Sequence, residues 1–301
     1  MVRPVDRRRV VKHMVEALGL SSHRACGLVK IHRSVLVYEP KEDSRMDERE
    51  ALKKLASRYP RYGSGLLHTM MRREGWKINH KRTDRLYRAE GLSLRLKRRR
   101  KRARHLREAL VQPQRRDEIW SMDFVHDSLS DGRKIKCLTL IDQFTRECLL
   151  LHADTTIKGK DVAKLLTKLK WRGRCPEVLV SDNGSEFTSK AMATWAHYAG
   201  VKLHFIEPGK PTQNGFTESF NGKFRFGCLD ATWFLNLEMA RKSIESWRRE
   251  YNEIRPHSSL GGKTPAEFAL QFEMKKDRGI KSGCELKGSC MIGGRSVLLA
   301  H

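Results

Sequence analysis

The chain has 301 residues, of which 39% are hydrophobic and 32% are charged, and this length suits about two domains. Its formal net charge is +26 at pH 7 and its pI is near 10.1. No stretch approaches the roughly 18 apolar residues of a membrane-spanning helix, and no apolar signal core follows the N-terminal charges, so we expect a soluble cytoplasmic protein.

The positive charge is concentrated in the first third of the chain. Residues 1–116 contain 33 Lys and Arg against 12 Asp and Glu, a net charge of +21, which leaves only +5 for the rest. A polyanionic partner is therefore expected. Nucleic acid fits best, because each neutralised phosphate releases counterions, and a membrane surface is the weaker alternative.

The cysteines argue against a disulfide framework. The seven cysteines are scattered, odd in number and without a C-x-x-C pair. We expect them to be reduced thiols, most of them serving as small buried apolar residues.

A first helix-turn-helix-like unit is predicted over residues 1–40. An apolar residue recurs at each helical turn before Gly19, which can end the helix, and Ser21 or Ser22 can cap a second helix. A third short helix can begin near Ser34. The apolar positions on which these helices are predicted are Val10, Met14, Leu18, Ala25, Cys26 and Leu28.

A second helix-turn-helix-like unit is predicted over residues 44–95. Its helices are expected at 46–58, 65–73 and 80–90, and Asn79 can cap the last of them. The outer face of this last helix carries cations, which suits contact with a DNA groove and its phosphates. These cations are Lys81, Arg82, Arg85 and Arg88. A solvated amphipathic helix is the alternative.

A basic linker arm is predicted over residues 96–116. It includes K-R-R-R-K-R-A-R, starting at Lys97, in which seven of eight residues are cations. Such a block repels itself and is expected to stay unpacked. Arg98, Arg99 and Arg100 can then lie along a phosphate backbone, and an ordinary linker is the alternative.

Residues 117–272 have the pattern of an α/β domain. Trp120, Met122 and Phe124 alternate with Asp123, so Asp123 faces away from that apolar row. The later strands are predicted at 135–141, 148–153, 178–180 and 202–206. Three antiparallel strands, a helix, a strand, a helix and a strand form the order of a ribonuclease-H-like core, a mixed five-stranded sheet flanked by helices.

Three carboxylates stand in distinct settings: Asp123 on a strand, Asp182 at a strand end and Glu218 within a predicted helix. Carboxylates from distant segments are how proteins hold Mg²⁺ beside a phosphodiester. Two Mg²⁺ ions about 3.5–4 Å apart would activate a nucleophile and stabilise the leaving 3′ oxygen, and Mn²⁺ is expected to substitute. Water as the nucleophile gives strand cleavage, and a free 3′ hydroxyl gives strand transfer by in-line transesterification.

The helix that carries Glu218 has an apolar stripe on another side. Phe216, Phe220 and Phe224 recur every four residues, which places Glu218 and Arg225 together on a different face. Arg225 can approach a DNA phosphate there. An ordinary surface arginine is the alternative.

Other polar residues compete for roles. The acids ranked behind the three carboxylates are Asp127, Asp142 and Glu186. Asp142 is expected to hold a strand end or to form local hydrogen bonds. Gln213 and Asn214 can orient substrate or cap the following helix, and His257 is expected to be structural or to contact phosphate.

The segments around the three carboxylates resemble the integrase-type catalytic core of bacterial insertion-sequence transposases and, more distantly, that of retroviral integrases. The shared motifs are W-S-M-D-F, V-S-D-N-G-S-E-F, T-E-S-F-N-G-K-F-R and Y-N-E-I-R-P-H-S-S-L-G-G-K-T-P. The resemblance covers roughly residues 5–270. It implies the second-reading-frame type of transposase, a polynucleotidyl transferase whose DDE triad is Asp123, Asp182 and Glu218.

The resemblance also implies partners. Element ends and target DNA would be the substrates, and the working form would be a homo-oligomer on DNA, associated with the bacterial nucleoid. Family members of this kind often act as a fusion with an upstream-frame protein or together with it. The resemblance therefore implies an upstream-frame protein as a fusion or partner of this chain.

Two departures from the family pattern leave other functions open. Tyr62-Gly63 is followed by Ser64-Gly65, where related transposases have an aromatic residue and an arginine, and glycine weakens a helix. The tail, 273–301, matches no family segment and is expected to be disordered. The alternatives are a catalytically silent or partner-dependent DNA-binding regulator of transposition, and a ribonuclease-H-like nuclease without strand transfer.

Overall fold

The computed structural model describes residues 4–37, 46–94, 112–207 and 214–272. Contacts divide the chain into two compact units, Met1–Lys53 and Lys54–His301. The tail and most of the predicted basic arm, with Arg98, Arg99 and Arg100, lie outside the described residues. The five-part domain division stays a prediction.

Two expectations from composition concern cysteines and membrane spans. The described cysteines are all free thiols, and four of the five are buried. Across the four described ranges, no helix is long and apolar enough to cross a membrane.

The first unit begins with three helices. α1 (Pro4–Leu18) ends at Gly19, whose φ of +63° is the left-handed conformation that glycine adopts readily. α2 (Ser22–Val29) begins after Ser21, whose side chain accepts a hydrogen bond from an amide of the first turn. α3 (Arg33–Val37) follows.

The apolar pattern predicted for α1 and α2 is partly wrong. The side chains of Val10, Leu18 and Leu28 are 45%, 64% and 61% exposed. The core of these helices consists of Val11, Ala25 and Cys26, with Met14, Val15, Leu20, Val29, Ile31 and Leu36 packed against it. Val10 and Val11 are both apolar, so spacing alone could not decide which of them faces the neighbouring helix.

The second helix-turn-helix region comprises α4 (Met46–Arg58), α5 (Ser64–Arg73) and α6 (His80–Ala89). Asn79 caps α6 as predicted, because its side chain accepts a hydrogen bond from the Lys81 amide at 2.9 Å. The departure at Ser64-Gly65 does not prevent α5 from forming. The Ser64 hydroxyl instead donates a hydrogen bond to Asp84 of α6 at 2.9 Å, which ties the two helices together.

Five strands form one mixed sheet in the order β3-β2-β1-β4-β5. The strands are β1 (Ile119–Ser128), β2 (Lys134–Asp142), β3 (Cys148–Asp154), β4 (Val178–Ser181) and β5 (Lys202–Phe205). β2 pairs with β1 and β3 in antiparallel fashion, whereas β4 pairs with β1 and β5 in parallel. The predicted ribonuclease-H-like core is confirmed.

Helices cover both faces of this sheet. They are α7 (Gly159–Trp171), α8 (Lys190–Ala199), α9 (Gly215–Gly227) and α10 (Leu237–Arg249). Trp120 and Met122 of β1 pack in the core that includes α7 and α8. Val125 packs in the opposite core, with Phe220 and Phe224 of α9. Alternate residues of β1 therefore pack into the two cores on the opposite faces of the sheet.

The second helix-turn-helix region packs against the chain that follows α9 and α10. Tyr62 donates a hydrogen bond from its hydroxyl to Glu250 at 2.8 Å, at the start of a π-helical turn, Glu250–Ile254. Arg73 forms an ion pair with Glu267. These contacts belong to the second compact unit, so they connect this region to the ribonuclease-H-like core.

Candidate active site

β1 places Asp123 at the centre of the sheet, facing α9. Val125 packs against α9, and side chains two residues apart on a strand share a face. The Asp123 backbone carbonyl accepts a hydrogen bond from the Thr139 hydroxyl of β2 at 3.1 Å. Asp123 is half-buried. Its position on β1 directs its side chain toward α9.

β4 ends at Ser181, so Asp182 lies just beyond the carboxyl end of a strand that runs parallel to β1. Its Oδ1 accepts a hydrogen bond from the Gly184 amide at 3.0 Å. A Cβ at Gly184 would lie 3.0 Å from that oxygen, so glycine permits the close approach. The Asn183 amide group donates to the Ile206 carbonyl at 2.9 Å and holds the turn beside β5.

α9 presents Glu218 from its first turn, where the side chain is exposed. Thr217, Phe220 and Phe224 form the buried side of this helix, and Phe216 lies half-buried at its edge. The predicted apolar stripe is therefore confirmed at Phe220 and Phe224, and Phe216 is buried only in part. A carboxylate in the first turn also has a favourable interaction with the helix dipole.

The start of α9 is not capped in the way considered from the sequence. The Asn214 side chain makes no capping hydrogen bond, and its Oδ1 is buried without a hydrogen-bond partner. Capping by Asn214 is therefore wrong, because the backbone at this position is not in the extended conformation of a usual N-cap. Gln213 lies outside the described residues.

The three carboxylates interact electrostatically. Burial, together with the negative charges of Asp182 and Glu218, raises the pKa of Asp123 to about 6, against hydrogen bonds from Phe124 and Asn221 that lower it. Acids that are far apart in sequence therefore lie in one region. Negative charges held this close disfavour the ionised form of Asp123, and a bound cation would remove that repulsion.

The acids are close enough for this repulsion but are not assembled as a ligand cage. In the described part of the chain, no three His, Cys, Asp or Glu side chains are grouped so that they could hold a metal ion. Mg²⁺ ligation needs oxygens about 2.0–2.1 Å from the ion, whereas charge repulsion acts over longer distances. The donor set fits a hard divalent cation by its chemistry, which is all-carboxylate oxygen.

Asn221 is a further residue of the site, and the sequence reasoning missed it. Its Nδ2 donates a hydrogen bond to Asp123 Oδ2 at 2.8 Å, and its Oδ1 is buried without a partner. Asn221 follows Glu218 by three positions, so both lie on one flank of α9. This spacing is the feature of the sequence from which Asn221 could have been predicted as a residue of the site.

Arg225 lies on the same flank of α9 and is exposed. Its guanidinium donates a hydrogen bond to the backbone carbonyl of His126 in β1 at 2.9 Å. The arginine is therefore held beside β1, two turns of helix beyond Glu218, and it keeps exposed surface toward solvent.

The competing acids have local partners. The buried Asp142 accepts hydrogen bonds from the amides of Asp117, Phe144 and Thr145 at 2.8, 2.7 and 3.1 Å, so it holds the end of β2 as expected. Glu186 forms an ion pair with Lys136. Asp127 Oδ1 accepts a hydrogen bond from the following amide at 2.9 Å.

The predicted DNA-contacting face of α6 is partly formed. Lys81, Arg85 and Arg88 are exposed, while Arg82 is half-buried. Arg88 lies in an ion pair with Asp84 at 2.5 Å. The inner side of α6 buries Thr83, Leu86 and Tyr87, as an amphipathic helix requires.

Comparison with known proteins decides the family. Integrase core domain models match residues 113–211 and 199–265, and an HTH-like domain model matches residues 44–102. The 31.7-kDa protein of insertion element IS407 from Burkholderia multivorans is 46% identical over 87% of this chain and 95% of its own length. The chain belongs to the bacterial insertion-sequence transposases with an integrase-type DDE core.

A more distant relative agrees with this membership. The putative transposase InsK of insertion sequence IS150 from Escherichia coli is 26% identical over 82% of this chain and 93% of its own length. Among solved structures, the magnesium complex of the HTLV-2 integrase catalytic core domain is 16% identical over 54% of this chain and 99% of that domain, with a TM-score of 0.40. By its integrase core domain models and its insertion-element relatives, the transposase is an enzyme of the polynucleotidyl transferase superfamily.

Proposed function

We propose that this transposase cleaves DNA strands at the ends of its element and joins them to target DNA, with Asp123, Asp182 and Glu218 as the catalytic residues. The observation that carries this proposal is the electrostatic coupling at Asp123. Asp182 and Glu218, from a separate strand end and a separate helix, both raise its pKa. Such a cluster of interacting carboxylates is typical of a functional site.

The surrounding residues hold these carboxylates in place. Asn221 fixes Asp123 through one carboxylate oxygen, and the Gly184 amide fixes Asp182 through another. Asp123, Asp182 and Glu218 would bind Mg²⁺, with Mn²⁺ as a substitute, and two such ions would supply charge stabilisation at the attacking and leaving oxygens. The unpartnered Oδ1 of Asn221 lies on the side chain that already contacts Asp123.

The chemistry is an in-line displacement at phosphorus. In cleavage, a water oxygen forms the new bond and the 3′ oxygen of the broken strand leaves. In strand transfer, that 3′ hydroxyl attacks a target phosphodiester, so one phosphodiester bond forms as another breaks and no ATP is needed. The carboxylate site serves both steps, and no covalent bond to the protein forms.

DNA is the proposed partner of the basic surfaces. The exposed cations of α6, together with Arg82, would contact a groove and its phosphates. Arg98, Arg99 and Arg100 of the arm would contact phosphates without sequence preference. Arg225 lies on the flank of Glu218, where a strand held for reaction would pass. We further propose a homo-oligomer on DNA and an upstream-frame protein as a fusion or partner.

The test is a reaction on a supercoiled plasmid that carries the element's own flanks. Purified transposase is incubated with Mg²⁺ or with EDTA, and the 3′ ends of all products are mapped. The proposal predicts metal-dependent breaks or joints at the element ends, lost in Asp182→Asn, which still binds the end duplex. Asp131→Asn, which removes an exposed carboxylate from the β1–β2 hairpin, is the matched control and should react normally.

The other outcomes separate the alternatives. Breaks at the ends without any joined product would favour a nuclease without strand transfer. DNA binding without breakage, in the presence of the upstream-frame protein as well as in its absence, would contradict the proposal and favour a regulator.

A further inference from the structure

A group of basic side chains lies around α9 on the side away from the carboxylates. Lys223 is five residues after Glu218, which places it about 140° around the helix axis. It follows Phe216 by seven residues, so these two share a flank. The Arg146 guanidinium, from the turn between β2 and β3, stacks 3.8 Å from the centre of the Phe216 ring.

Two more basic residues reach this place from the segment after α10. The Arg255 guanidinium lies 4.9 Å from the centre of the Tyr62 ring. The His257 ring packs edge-on against Tyr251, with the ring centres 4.7 Å apart, and is only 6% exposed. We call Arg146, Lys223 and Arg255 the α9 cation cluster, and His257 lies beside it.

The positive charges of this cluster repel one another. Burial lowers the pKa of Lys223, and the charges of Arg255 and Arg146 lower it further. Burial and the charges of Lys223, Arg255 and Arg146 together lower the pKa of the adjoining His257 to about 3, so its ring is neutral near pH 7. A backbone hydrogen bond at Tyr251 opposes this lowering only in part.

The nearby acids are engaged elsewhere. Asp142, which acts on Arg146, is held by three backbone amides, and Glu250 accepts the hydroxyl hydrogen bond of Tyr62. The Asp142 charge offsets part of the positive charge at Arg146. At Lys223, burial and the neighbouring cations Arg255 and Arg146 lower the pKa.

One buried polar atom of the cluster, Nη1 of Arg146, has no hydrogen-bond partner among the described residues. Buried polar groups are normally paired, so this unpaired donor needs an explanation. A phosphate oxygen would accept a hydrogen bond from Nη1, and the negative charge of the phosphate would offset the repulsion.

We propose that the α9 cation cluster binds a backbone phosphate of the DNA on which the carboxylate site acts. Arginine forks and a lysine ammonium are the side chains that proteins use for phosphate oxygens. All three side chains keep part of their surface in solvent, so a phosphate can reach them. The proposal rests on the proposed function for the source of the phosphate. α9 would then hold Glu218 and Arg225 on one flank and contact a further DNA phosphate on the other.

The first measurement is the salt dependence of binding to an element-end duplex, in EDTA, by fluorescence anisotropy. Lys223→Gln should lower the slope of log affinity against log salt by about 0.9, the value for one phosphate contact. Lys223→Arg should restore it. The matched control is Lys202→Gln, which removes an exposed lysine at the start of β5 and is expected to change the slope less.

The second measurement is thermal unfolding of the DNA-free transposase, with inorganic phosphate as the probe. Because the cluster is self-repelling, Lys223→Gln should unfold at the same temperature as the wild type or a few degrees higher. Phosphate should raise the unfolding temperature of the wild type more than that of Lys223→Gln. Arg255→Gln serves as a second variant if Lys223→Gln does not fold.

These results can contradict the proposal without touching the proposed function. A lower unfolding temperature in Lys223→Gln with an unchanged salt slope would assign the cluster a structural role and overturn the inference. Phosphate stabilisation with an unchanged slope would make it a site for a free anion, which also overturns the assignment to DNA. Failure of the wild type to bind DNA would instead count against the proposed function, while the phosphate measurement still tests the cluster.

Discussion

The two flanks of α9 gather charges of opposite sign. One flank brings Glu218 and Asn221 toward Asp123, whose pKa is raised in part by neighbouring carboxylates. The other brings Lys223 toward Arg255, and here the pKa of a base is lowered by neighbouring cations. In both places the fold holds like charges together in a partly buried setting. Such arrangements cost stability in the free protein, and ligands of the opposite charge would offset that cost.

The comparison teaches that one helix can present two ligand-binding flanks only if its remaining side is buried firmly. Phe220 and Phe224 provide that anchor, packing with Trp247 of α10 at ring-centre distances of 5.7 and 5.2 Å. A Cβ at Gly227 would lie 2.6 Å from the Trp247 side chain, so α9 and α10 approach closely there. The position of both flanks therefore depends on this aromatic contact.

The largest expected effect is the loss of one carboxylate. Glu218→Gln keeps the size of the side chain and removes its charge, and we expect joining to slow at least about a thousandfold, equivalent to several kcal/mol of transition-state stabilisation. Single-turnover joining assays measure this. Glu238→Gln, an exposed change on α10 at a carboxylate that pairs with Lys242, should keep the wild-type rate.

A smaller effect is expected at Asn221. Asn221→Ala removes the hydrogen bond to Asp123 but leaves all three carboxylates, so we expect activity or metal affinity to fall about 10–100-fold, as for other residues that orient ligands. The same joining assay, run over a series of Mg²⁺ concentrations, separates an effect on activity from an effect on metal affinity. An unchanged metal dependence together with an unchanged rate would show that Asn221 does not position Asp123.

The contact between Tyr62 and Glu250 should affect the stability of the fold rather than the reaction rate. Tyr62→Phe removes the hydroxyl that donates to Glu250, and a hydrogen bond to a charged group contributes about 1.5–3 kcal/mol. We expect the free energy of unfolding in urea to fall by an amount of that order. Tyr198→Phe is the matched control, since Tyr198 is 80% exposed, and it should leave stability unchanged.

The smallest expected effect is the pH dependence that Asp123 confers. Its folded-state pKa of about 6 lies above 3.8, the ordinary value of an aspartate, so the folded protein holds this proton more tightly than the unfolded chain does. The contribution of Asp123 to the free energy of unfolding should therefore fall as pH rises from about 4 to about 6. The difference between wild type and Asp123→Asn in EDTA isolates this contribution.

Addition of Mg²⁺ sharpens the same measurement. Above pH 6 the ion should stabilise the wild type and not Asp123→Asn, because only the wild type carries the full set of charges. Equal stabilisation of both proteins would remove Asp123 from the set of metal ligands.

The sequence predicted the sheet and the placement of the carboxylates well. Strand alternation gave the face of Asp123, and the end of an apolar strand gave the position of Asp182, because both depend on local periodicity. Glu218 followed from the aromatic spacing of α9. These features require no knowledge of which elements pack together.

Other features depend on tertiary contacts and could not be predicted in this way. The choice between Val10 and Val11 as the buried residue depends on which neighbour α1 meets. The hydrogen bond from Asn221 to Asp123 joins segments 98 residues apart. The helical spacing in the sequence indicates only that Asn221 and Glu218 share a flank of α9. The cation cluster combines the β2–β3 turn with the segment after α10, two regions that no periodicity connects.

The most direct test of the central claim starts from a DNA end that already has a free 3′ hydroxyl. Joining of this end to a plasmid, by wild type, Asp182→Asn and Asp131→Asn in Mg²⁺, bypasses cleavage and reports strand transfer alone. The account predicts normal joining by the wild type and Asp131→Asn and none by Asp182→Asn at equal DNA occupancy. Joining by Asp182→Asn at the wild-type rate would contradict it.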